Sequence, residues 1–98
     1  MTVIERIAAA VQQPNTHTAV RDLILALSAE GHRRQTIIDR FFEAITLMQE
    51  NGTITEQQYD DMADVLDGLY GWCQPSGWLL VEEWPNELRP FNSPQPPA

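Results

Sequence analysis

The chain of 98 residues contains no lysine, one cysteine and two histidines. Six arginines stand against fourteen acids, so the chain lacks the clustered cations that neutralise nucleic-acid phosphates or anionic lipid headgroups. This argues against nonspecific binding to nucleic acid or to a membrane. A lone thiol, Cys73, cannot form an internal disulfide, which agrees with a reducing compartment. His17 and His32 are not spaced as a metal pair and no second cysteine exists, so zinc has no support and no cofactor is expected. Long apolar runs are missing too: Met1 to Val11 carries Glu5 and Arg6 inside a short apolar pattern, resembling neither a signal peptide nor a membrane span. The expected location is therefore cytoplasmic. Glycine-rich phosphate loops and serine-triad signatures are also lacking, so the chain is read as no enzyme.

What is present is an acidic chain in the ordinary globular range, with 43% hydrophobic and 20% charged residues and a net charge of -8. A chain of this length buries roughly 60 to 65 per cent of its unfolded surface, enough for one modest core. A single helical domain is expected over residues 1–89, followed by a flexible proline-rich tail over 90–98. The charge is two-sided. Residues 1–40 hold five arginines against Glu5, Asp22, Glu30 and Asp39, whereas residues 41–98 hold ten acids against Arg89 alone.

The periodicity predicts four helices, near residues 2–13, 17–30, 33–50 and 55–72, packed as an all-α, four-helix bundle-like domain. Thr2 with Glu5, and Thr55 with Gln58, spell capping boxes, and Ile54 is placed to staple against Tyr59. Pro14 ends the first helix, Gly31 is a C-cap for the second, and Asn51 with Gly52 closes the third. The second stripe is Val20, Leu23, Ile24 and Leu27. The third, with Ile37, Ile38, Phe41, Phe42, Ile45 and Met48, is the bulkiest and is expected to sit centrally, both phenylalanines packing on the first and fourth helices. Tyr59, Met62, Val65, Leu66, Leu69 and Cys73 form the fourth stripe, where Cys73 reads as a buried, inert thiol.

Three features bear on function. Asp60, Asp61, Asp64 and Asp67 lie on the fourth helix, and Asp60, Asp64 and Asp67 share one face. Each like-charge pair so placed costs roughly 0.2 to 0.5 kcal/mol, which suggests either a tolerated strain or an external cationic partner. Arg33 and Arg34 fall in the first turn of the third helix, where the dipole disfavours cations. An acidic group should compensate them, and the aspartate face of this chain or of a second copy is the obvious candidate. Lastly, Trp72, Trp78 and Trp84 stand six apart around the last helix end and the following arm. They either fold back to close the core or anchor a dimer or partner interface.

Two short strings resemble known sites. Asn51 to Thr55 resembles the middle of an EF-hand calcium loop, but Leu47 and Gln58 stand where the first and last carboxylates belong. Asp60, Asp61 and Asp64 spell the DDxxD pattern of prenyl-transferring enzymes, yet the chain is too short for an isoprenoid cavity and has no second acidic motif or cationic clamp. Shared helix-start chemistry accounts for the first and a solvated acidic helix face for the second. The expected function is thus a small acidic protein-interaction module, self-associating, with Asp60, Asp61, Asp64, Asp67, Trp78 and Trp84 meeting the partner. One alternative is an immunity- or antitoxin-type inhibitor whose acidic helix binds a basic protein. The other is a ligand-binding or enzymatic domain using an interhelical pocket.

Overall fold

A computed structural model describes residues 2–71 and 75–85; Trp72, Cys73 and the 90–98 tail lie outside the described residues. The fold is all-α: α1 (Val3–Val11), α2 (Thr16–Ala29), α3 (Arg34–Asn51) and α4 (Glu56–Leu66), followed by three 3₁₀ turns, with no strand among the described residues.

Local chemistry sets most of the helix ends. Thr2 Oγ1 accepts from the Glu5 N–H at 3.1 Å while Glu5 Oε1 accepts from the Thr2 N–H at 2.8 Å. Thr55 and Gln58 repeat the reciprocal pair at the start of α4, at 3.1 and 2.9 Å. Both boxes satisfy amide donors that a helix start leaves open. At the other ends, Gly31 (φ 103°) and Gly52 (φ 66°) take left-handed conformations. The His32 N–H then reaches the Leu27 carbonyl and the Thr53 N–H the Met48 carbonyl, closing α2 and α3 with Schellman motifs.

The core is one cluster fed by every helix: Ile7 and Val11 from α1, Val20, Ile24 and Leu27 from α2, Ile37, Phe41, Ala44 and Met48 from α3, Met62 and Val65 from α4. Buried Thr16 donates its hydroxyl to the Val11 carbonyl at 2.8 Å, fixing the tight turn between α1 and α2. Outside, Arg6 pairs with both carboxylate oxygens of Glu30 at 2.8 Å.

Three expectations need correction. The central element is α2, which packs on α1, α3 and α4, whereas α3 packs chiefly on α1 and α2. Phe41 is fully buried, but Phe42 is 53% exposed and packs on neither expected helix. The stripe that faces the core runs through Ile37, Phe41, Ala44, Ile45 and Met48, and Phe42 lies about 100° around the helix from Phe41. Finally, α4 stops at Leu66 and tightens into a 3₁₀ turn over Asp67–Leu69. The reason is the arm: the Leu79 N–H donates to the Gly68 carbonyl at 2.8 Å, and a Cβ at position 68 would collide with the Gly77 carbonyl oxygen. Only glycine permits that approach.

Candidate interaction surface

The residues with functional promise fall into a spent group and an available one. The spent group is the arm. Trp84 is 2% exposed and donates its indole N–H to the Leu79 carbonyl at 2.8 Å, while Trp78, partly buried, meets it edge to face with centroids 5.5 Å apart. For Trp84, core closure is the arrangement the fold adopts. Leu79 and Leu80 are buried beside it, and Leu80 takes a left-handed conformation (φ 52°) that turns the chain into the Val81–Glu83 turn.

That turn delivers Glu83 to the start of α3. Its Oε1 accepts from the Arg34 N–H at 2.7 Å and from Arg33 Nε at 3.2 Å. Arg33 itself offers no side-chain cap, so the carboxylate supplies both the missing acceptor and the negative charge that a helix N-terminus favours. The acid that answers Arg33 and Arg34 is therefore Glu83, and the aspartate face of α4 is not recruited. Arg34 is 4% exposed. Its Nε donates to the Leu69 carbonyl at 2.8 Å, and its guanidinium lies 5.1 Å from the Tyr70 ring centroid. Desolvation lowers its pKa, against the opposing pull of Tyr70 and Glu83, and Nη2 has no hydrogen-bond partner among the described residues.

The available group is the acidic surface of α4. Asp60 and Asp64 are exposed, Asp61 and Asp67 partly so. Among the described residues, their one contact with a basic side chain is His17 Nε2 to Asp64 Oδ2, at 3.2 Å, and both side chains are largely open to solvent. Asp61 accepts from Gln57 Nε2 at 2.9 Å. Burial raises the Asp67 pKa, and the nearby Asp64 charge raises it further. No basic residue occupies the last turn of α4 to offset its dipole.

Around the His17–Asp64 contact, Arg21, Val65, Ser76 and Leu79 help line a half-open cavity of about 350 Å³. No three His, Cys, Asp or Glu side chains among the described residues are grouped to hold a metal ion, and no helix there is long and apolar enough to cross a membrane. Compared with protein-family models, with curated proteins and with solved structures, the chain matches none.

Sequence reasoning overlooked Phe42 and Leu47 as surface groups; they are 53% and 45% exposed on the outer face of α3. A signal existed. Asp39, Phe42, Glu43, Thr46, Leu47 and Glu50 recur at three-and-four spacing, a second stripe opposite the core one. Glu83 and His17 carried no such signal, because their roles depend on contacts distant in sequence.

Proposed function

We propose that the protein is a small, non-enzymatic interaction module that presents the acidic face of α4 to a basic protein. One observation carries the reading: Asp60, Asp61 and Asp67 have no ion-pair partner among the described residues, and Asp64 has only His17. A row of like charges that the fold leaves unneutralised gains most from a cationic surface, which also accelerates encounter. The setting proposed is cytoplasmic, without nucleic acid or membrane as partner. Its sharper form is an immunity- or antitoxin-type inhibitor, in which the aspartates occupy a basic enzyme's substrate groove. Self-association through the tryptophan arm has weaker support, because Trp84 is committed to the core.

The test is a native pull-down from the host with wild type and with D60N/D64N/D67N, at roughly 0.1 M and roughly 1 M salt, which shortens the Debye length from about 10 to 3 Å. The expected result is a basic protein captured by wild type at low salt and lost with either change, while circular dichroism stays helical. Capture that survives both changes would sink the charge-based reading. For the inhibitor form, the captured protein should be an enzyme that loses activity on adding the module.

A second reading rests on the cavity at His17, Arg21, Asp64 and Ser76, whose lining, completed by apolar Val65 and Leu79, suits a small polar metabolite. Thermal denaturation against a panel of small carboxylates and phosphates decides it. A midpoint that no compound raises removes this reading.

A further inference from the structure

We propose that the outer face of α3 and the start of α4 form one docking surface for a basic amphipathic helix of the partner protein. The inference rests on the interaction reading above and adds to it an apolar anchor site.

Two shallow depressions lie on this side of the molecule. One, of about 510 Å³, is lined by Phe42, Glu43, Thr46, Leu47 and Glu50, the three polar residues lying between the two apolar ones around the helix. The other, of about 420 Å³, has Ile54, Tyr59, Glu56 and Asp60 in its lining. Their linings meet at the end of α3, where Gln49 belongs to one and Glu50 to the other. Phe42, Leu47 and Tyr59 are three of the four large hydrophobic side chains exposed among the described residues. Scattered singly, such residues carry no message; in two neighbouring depressions that carboxylates also line, they form a surface that alternates apolar contacts with negative charge.

The charge identifies the occupant. Glu43 pairs with Arg40 at 3.1 Å, but Glu50, Glu56 and Asp60 have no ion-pair partner among the described residues. A second copy is a poor occupant. A two-fold pairing places the same patch against itself, so these carboxylates would oppose one another in a chain whose net charge is already -8. A helix with aliphatic residues at i, i+3, i+4 and i+7 and arginine or lysine on its flanks fits both features: its aliphatic face meets Phe42, Leu47 and Tyr59 and its cations meet the carboxylates.

The probe is a synthetic amphipathic helix of about 18 residues, leucine on one face and arginine on the flanks, compared with a scrambled peptide of the same composition. Affinity is read by fluorescence anisotropy on the full chain, and F42A/L47A, both exposed positions, is checked for an unchanged helical spectrum. The expected result is binding of the amphipathic peptide at least about tenfold tighter than the scrambled one, with that difference erased by F42A/L47A. Equal binding of both peptides, insensitive to F42A/L47A but lost in D60N/D64N/D67N, would overturn the docking surface and leave the acidic α4 reading standing. Binding of neither peptide would count against both. A concentration-dependent dimer in sedimentation that F42A/L47A dissolves would make a second copy the occupant and overturn the proposal.

Discussion

The start of α3 and the face of α4 both carry concentrated charge, and the fold treats them in opposite ways. At α3, Glu83 closes on Arg33 and on the Arg34 amide, and the Arg34 guanidinium is drawn under the arm against Tyr70. At α4, the four aspartates have a single contact with a basic side chain among the described residues, His17 on Asp64. The first set of charges is consumed in holding the molecule together. The second is left largely unpaired among the described residues.

Breaking the closed side should cost most. Trp84→Ala removes a fully buried indole and its bond to Leu79, and unfolding in urea should show a loss of roughly 3 to 5 kcal/mol. A loss below about 1 kcal/mol would mean the arm is not seated as described. Glu83→Ala leaves the α3 N-terminus uncapped, and because that carboxylate is largely buried the expected loss is about 1 to 3 kcal/mol. Stability unchanged within error would show that water replaces the carboxylate without penalty.

Substitution on the open side should have the reverse sign. D60N/D64N/D67N should hold or raise the melting temperature, since each relieved pair returns roughly 0.2 to 0.5 kcal/mol. A clear fall in melting temperature would mean that these aspartates support the fold after all.

The smallest effect is one of pH. Asp67 has a raised pKa because burial and Asp64 disfavour its charge, so the native state holds its proton longer than the unfolded state does. Its contribution is greatest below the unfolded pKa and is lost as pH rises through the folded one. D67N should therefore be more stable than wild type near neutrality, with the gap narrowing as pH falls through the carboxylate range. Glu30 runs the other way. Its bond to Arg6 lowers its pKa, so its contribution is present near neutrality and fades as acid protonates it. A D67N advantage that grows on acidification would contradict the assignment.

Much of the fold was legible because it is local. Thr2, Glu5, Thr55, Gln58, Gly31 and Gly52 act within a turn of their own position, and their sequence signals match the structure. What failed is long-range. Periodicity placed Phe41 and Phe42 on one broad face, and only the packing of α1 and α2 against α3 decides that the core accepts one of them. The acid that answers Arg33 and Arg34 lies about fifty residues away, where no spacing rule reaches. The aspartates were readable as a face, but that His17 would touch Asp64 was not.

The arm's contacts also set an order in time. Leu79 on Gly68 and Trp84 on Leu79 are short-range closures, but Glu83 on Arg34 joins residues 49 apart. Contacts of such separation form after the loop-closure entropy between them has been overcome by the rest of the core. The helices should therefore assemble first and the carboxylate dock last, so that Glu83→Ala speeds unfolding while leaving the folding limb of a chevron nearly unmoved. A slowed folding limb would place the arm in the nucleus instead. On this ordering, the half-folded chain exposes its two N-terminal arginines of α3 before the acid that quiets them arrives.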